Sequence, residues 1–266
     1  MTFQVIGPGV MALTVLLALV LGACSDDPTS PDSAAAATSP SETPIATPPP
    51  PSCPNGEGGS CLGPLRPGKP YTTVEFSPAI TYEAPSEGWR NFEDLYGNFL
   101  LVPPGNDLEG VDAGTSDYIS VFRGVLPTTL TSPRCGADWP LGTEAGPTPQ
   151  EMVNYYRSQK NLDVSNVHKA KVGGRSGVVL DLQAAPGLPL DHCREGGTKV
   201  EVNQVISGIE GSSFDHGVIN DMTMRLYLLR DHERVMGIEI TDIHAAPGTV
   251  DTMSRVAESL RFAAEN

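Results

Sequence analysis

The chain has 266 residues, with 32 acidic and 17 basic side chains and a formal net charge of −15. No charged side chain precedes Cys24, and the tract after it holds four acids (Asp26, Asp27, Asp32 and Glu42), so residues 52–266 carry −11. A surface of that sign repels phosphate backbones and anionic headgroups, which excludes nucleic acid as an expected partner.

Residues 10–21 (VMALTVLLALVL) form an uncharged apolar run, a length suited to a signal-peptide core and short for a membrane span. The small pair Gly22-Ala23 follows, and Leu21-Gly22-Ala23-Cys24 resembles the lipobox of bacterial lipoproteins. The resemblance implies a signal peptide over residues 1–23 and a diacylglycerol thioether on Cys24. Cys24 then begins the mature chain and ties it to the outer face of the cell membrane. One feature departs from the pattern: residues 1–9 contain no Lys or Arg, so only the α-amino group is positive there. The residues alone also suit a plain secretory signal with an incidental Cys, or an anchor one turn short.

Residues 24–64 read as the acylated Cys followed by a disordered Pro/Ser/Thr/Ala linker, which ends in a small Cys loop. Such a tract has little to bury and cannot offset its ordering entropy. Its prolines make it a semi-extended spacer at about 3 Å per residue. Beyond Cys24 the cysteines are Cys53, Cys61, Cys135 and Cys193, an even set in an exported chain where disulfides persist. Three connectivities are open. Cys53–Cys61 would close the Gly-rich loop and Cys135–Cys193 would join two distant loops, the longer worth about 4 kcal/mol in the chain-entropy model. None of the four stands in a Cys-x-x-Cys pair, so a metal site on them is not expected.

Residues 65–266 are long enough for one extracytoplasmic domain with a single core. Strands are expected over 71–76 and 79–83, either side of Ser77-Pro78, then over 97–102 and 117–122. The stretch 124–147, with Cys135 and Trp139, reads as loop. Thr148-Pro149-Gln150-Glu151 is a capping box with Pro at the first helical position, and Met152, Val153, Tyr155 and Tyr156 give that helix its apolar face. After a Gly173-Gly174 turn, Val178, Leu180 and Leu182 alternate with polar or smaller residues. Met222, Met224, Leu226 and Leu228 do the same, and Met236, Ile238 and Ile240 answer them across the Asp231-His232-Glu233 turn. Val250, Met253, Val256, Ala257 and Leu260 recur at helical spacing over 250–260. The expected fold is α+β: a mainly antiparallel sheet in hairpin order, with one polar face and two helices over the other.

The opening Pro70-Tyr71-Thr72-Thr73, with Phe76, Pro78, Ile80, Pro85, Gly88 and Trp89, resembles secreted actinobacterial domains of unassigned function. The ending Ala257-Glu258-Ser259-Leu260-Arg261-Phe262 is similar to the last helix of the Mog1/PsbP-like fold. This resemblance implies a sheet flanked by helices, and binding or assembly rather than catalysis. It carries over no catalytic residue, no cofactor and no metal.

The residues themselves leave an enzyme open. Asp191-His192, Asp215-His216 and Asp231-His232-Glu233, with Asp221, Asp242 and His244, suggest a metal site, but neighbours on a strand face opposite ways and no His-x-His or His-x-x-x-His spacing occurs. Gly174-Arg175-Ser176-Gly177-Val178 and Gly211-Ser212-Ser213 each miss Gly-x-Ser-x-Gly. A hydrolase would need Ser213, His216 and a remote acid. Trp89, Phe92, Tyr96, Phe99, Trp139, Tyr155 and Tyr156 suggest a groove for an apolar ligand, or ordinary core packing. The expected role is a membrane-anchored binding or assembly module of the envelope, with an envelope protein or an apolar ligand as partner. The alternative is an extracytoplasmic hydrolase or metal-dependent enzyme using a His/Asp/Ser site.

Overall fold

Every strand pairing in the main sheet is antiparallel, and its order mixes hairpins with longer crossings. A computed structural model describes residues 63–106, 108–113, 115–127, 146, 148–186, 201–208, 215–219, 222–243 and 247–264, all within one unit, Pro48–Asn266. Cys24, Cys53, Cys61, Cys135 and Cys193 lie outside the described residues, as do Trp139, Asp191, His192, Ser212, Ser213, Asp221 and His244.

In chain order the strands are β1 (Gly63–Pro64), β2 (Pro70–Thr72), β3 (Ile80–Glu83), β4 (Arg90–Leu95), β5 (Asn98–Val102), β6 (Ile119–Phe122) and β7 (Val125–Pro127). They continue as β8 (Leu162–Val172), β9 (Arg175–Ala184), β10 (Glu201–Gly208), β11 (Asp215–Ile219), β12 (Thr223–Asp231), β13 (Arg234–Asp242) and β14 (Arg261–Phe262). The helices are α1 (Leu108–Ala113), α2 (Pro149–Ser158) and α3 (Thr249–Ser259). The main sheet runs β1-β4-β5-β6-β13-β12-β9-β8, and two three-stranded sheets run β11-β10-β7 and β14-β3-β2. The α+β class expected from the sequence is the observed one.

Local signals explain the best-formed elements. In α2 the Thr148 hydroxyl accepts from the Glu151 amide while the Glu151 carboxylate accepts from the Thr148 amide, closing the capping box. The β8–β9 hairpin turns on Gly173 and Gly174 at φ 55° and 88°, the paired left-handed conformation of a two-residue turn. Gly177 has a different duty. A Cβ there would stand 1.9 Å from the Leu228 carbonyl oxygen, so β9 and β12 approach only because it has none.

The side-chain parity differs from the sequence reading. Leu226 pairs with Glu239 and Tyr227 with Ile238, so Leu226 and Ile238 lie on opposite faces of the sheet. Both faces are apolar. Tyr227, Leu229, Met236, Ile238 and Ile240 pack with Met253, Val256, Ala257 and Leu260 of α3. Met224, Leu226, Leu228, Leu180 and Leu182 pack with Met152, Val153 and Tyr156 of α2. The two helices therefore cover opposite faces, and neither face is the polar one expected. The small sheet β11-β10-β7 shares the α2 side, where Val125 and Val218 join the core.

The expected strand over 71–76 ends at Thr72. Asp94 of β4 takes the backbone amides of Val74, Glu75 and Phe76, and those groups are then unavailable to a ladder. The Ser77–Pro78 peptide in this loop is cis.

Candidate functional site

Four polar constellations are built into this frame, and each joins residues from separate parts of the chain. The first lies on the α2 face. Glu239 sits mid-strand in β13 and is fully buried. Its Oε1 accepts from the Tyr118 hydroxyl at 2.8 Å, and its Oε2 is 3.1 Å from Nδ1 of His216 on β11. The Tyr118 oxygen is itself 2.8 Å from the same Nδ1. With the Tyr118 proton given to Glu239, Nδ1–H of His216 faces two acceptors, which fixes the tautomer carrying its proton on Nδ1. The imidazole packs against Phe122 at 4.6 Å between ring centres. Ser120 stands opposite Glu239 in the β6–β13 register, and its buried hydroxyl has no hydrogen-bond partner among the described residues.

The second constellation centres on Asp231, the last residue of β12. Its buried carboxylate is 3.3 Å from Arg123 Nε and 3.0 Å from Arg175. Arg123 also donates to the Ser77 carbonyl, and Arg175 lies over the Phe262 ring. Two guanidiniums offset the desolvation of one buried carboxylate, so Asp231 is committed to structure. His232, its neighbour, occupies the β12–β13 turn at φ 56°.

The third crosses the α3 face. Arg225 donates from Nε and Nη2 to the two oxygens of Asp181 at 2.7 and 2.9 Å, and from Nη1 to Ser254 of α3 at 3.1 Å. Asn166 also donates to Asp181. Donating hydrogen bonds to the Asp181 carboxylate raises the Arg225 pKa above its ordinary value. Burial pushes neighbouring Tyr227 up to about 12 and holds Tyr82 and Tyr156 well above the ordinary phenol range.

The fourth is a corner. Asp94 is buried, and its three accepted amide bonds, at 2.6, 3.2 and 2.7 Å, pin residues 74–76 against the end of β4. The Ser77 amide donates to the Tyr96 carbonyl and ties the same loop to the β4–β5 turn. Val74, Leu95 and Tyr96 are 49, 51 and 66% exposed, the only large apolar side chains so exposed among the described residues.

The structure thus joins His216 to Glu239 and Tyr118, residues the sequence reading did not single out, and Ser213 cannot be placed beside it. Ser176, the second residue of β9, lies opposite Lys171 and is exposed. Among the described residues no group of three or more His, Cys, Asp or Glu is placed to hold a metal ion. The aromatic residues proposed for a groove are dispersed. Trp89 and Phe99 are buried in the α3-side core and Tyr156 in the α2-side core, while Phe92 packs beside Leu100 and Val102. Tyr96 alone of that set is exposed among the described residues. The missed residues did leave a signal: Glu239, Asp181 and Arg225 each interrupt an otherwise apolar strand.

No family model matches the chain, and no curated protein matches it. Among solved structures, the solution structure of cyanobacterial PsbP (CyanoP) from Synechocystis sp. PCC 6803 is similar to it. The match covers 78% of this chain and 100% of that one, with 13% identity and a TM-score of 0.35. A likeness of that size assigns no site and no activity, and the functional reading rests on this chain's own residues.

Proposed function

We propose that the chain is an envelope lipoprotein, acylated on Cys24, whose domain is a non-catalytic binding or assembly module. The actinobacterial origin and the Mog1/PsbP-like membership suggested by the terminal motifs belong to this proposal. No helix among the described residues is long and apolar enough to cross a membrane. One observation carries the binding role: Val74 on a loop, Leu95 at the end of β4 and Tyr96 in the turn after it stand exposed beside Asp94, which holds the loop in place. Exposed apolar side chains on a rigid support lose little entropy on docking, so they suit recognition. Capture from native envelope with the full-length protein tests the role. A defined partner should be recovered by the wild type and lost by Leu95→Ser/Tyr96→Ser with its melting temperature intact. Equal recovery by both proteins refutes it. The anchor is tested separately: Cys24→Ala should leave the membrane fraction, and retention without an acyl mass shift refutes acylation.

A second reading is favoured by the His216 geometry. A buried carboxylate on Nδ1 orients an imidazole so that Nε2 is its basic nitrogen, the arrangement of a general base. In this reading the domain is an extracytoplasmic hydrolase, with Ser213 or Ser120 as candidate nucleophile. Ester or peptide turnover that disappears in His216→Ala would establish it and displace the binding module.

A further inference from the structure

The formal charge of the domain conceals a basic edge. β8 ends the eight-stranded sheet, and its outer flank pairs with no strand among the described residues. Residues 157–171 hold Arg157, Lys160, Lys169 and Lys171 against one acid, Asp163. All four cations are exposed, and none enters an ion pair among the described residues. Lys169 lies opposite Val178 and Lys171 opposite Ser176, which places both on the face that α2 covers. Arg157 is in the last turn of α2 and Lys160 just beyond it. Four uncompensated cations therefore share the α2 side of one edge, on a domain whose remaining surface is acidic.

The edge is poorly suited to accept another strand. Its register slips between Ser165 and His168, where Asn166 has φ 51°, and lysines project from the remainder. Bulges and lysines are the devices that block edge pairing. A diffuse electrostatic contact suits it better. We propose that this edge docks on the anionic phospholipid headgroups of the membrane to which Cys24 ties the chain, an inference that rests on the anchored reading above. Each Lys or Arg near an anionic surface strengthens binding about five-fold. The chain between Cys24 and Gly63 spans at most about 140 Å at roughly 3.6 Å per residue. That bound keeps the domain at an effective concentration on the order of a millimolar beside its own membrane, so a weak contact is well populated. β4, which carries Leu95, lies six positions across the sheet from β8, roughly 30 Å at ordinary strand spacing. Docking by β8 leaves the apolar corner clear of the bilayer.

The test uses the full-length acylated protein on vesicles of phosphatidylcholine, with or without phosphatidylglycerol. Amine acylation read by mass spectrometry reports each lysine. Lys169 and Lys171 should label at least about five-fold more slowly on the anionic vesicles, while exposed Lys69 labels alike on both. High salt should abolish the difference. In Lys169→Glu/Lys171→Glu, Lys160 should lose its protection. Equal labelling on both vesicle types, with the protein still vesicle-bound, overturns the docking and leaves the anchor standing. Protein recovered free of both vesicle types overturns the anchor and the docking together. Protection in native envelope but on neither vesicle overturns the lipid assignment and identifies an acidic macromolecule as the occupant.

Discussion

Replacing Asp94 by Ala probes how the apolar corner is held. The carboxylate accepts from the amides of Val74, Glu75 and Phe76 at 2.6, 3.2 and 2.7 Å. Phe76 is 1% exposed, so its amide would be left buried without a partner, at a cost of about 1–3 kcal/mol. Val74 and Glu75 are exposed, and water replaces the carboxylate there, with a net loss of about 0.5 kcal/mol each. The total is about 3 kcal/mol. For a domain of this size it corresponds to a fall of about 6–12 °C in melting temperature. Asp94→Asn should lose at least half as much, because one oxygen becomes a donor facing other donors. Thermal and urea unfolding measure the loss, and amide exchange at residues 74–76 should quicken about a hundred-fold if the loop opens locally. A loss below about 1 kcal/mol, with unchanged exchange, would show that packing and not the carboxylate holds the corner.

Two further outcomes follow from the same structure and a third from the even set of cysteines. Arg225→Met should cost about 2–3 kcal/mol, because it strands the Asp181 carboxylate, and Arg225→Met/Asp181→Leu should recover most of it; additive losses in that double-mutant cycle would contradict the pairing. Raised tyrosine pKa values mean that the fold favours neutral phenols, so stability should hold up to about pH 10 and decline as pH rises toward the folded value of about 12 for Tyr227. Melting temperature against pH, with tyrosinate absorbance, checks this, and ordinary phenol titration without loss of stability would refute it. Alkylation of the non-reduced full chain should leave Cys53, Cys61, Cys135 and Cys193 unmodified, whereas modification of both Cys135 and Cys193 would refute their pairing.

What the sequence made legible was local. The capping box of α2, the stripe of α3 and the β12–β13 hairpin all carry their instructions within one contiguous stretch of chain. The misplaced helix shows the limit. Leu226 and Ile238 each belong to a clean alternation, but which members of two strands share a face depends on register across the turn, and a one-residue shift reverses it. β8 and β4 are not legible because they are polar: β8 is an exposed edge, and β4 buries Asn91 against Tyr82 of β3 and Asp94 against the amides of residues 74–76. The His216 cluster was half visible. His216 stands out in sequence through its neighbour Asp215, yet its carboxylate is Glu239 of β13 and its hydroxyl Tyr118, just ahead of β6.

A tethered module that recognises a partner through the Val74–Leu95–Tyr96 corner should crosslink to that partner when a photoreactive residue replaces Tyr96 in the full-length protein in intact cells. One discrete adduct is expected from position 96, absent from position 233 in the β12–β13 turn and diminished by Asp94→Ala. No adduct from position 96, or the same adducts from both positions, would contradict it.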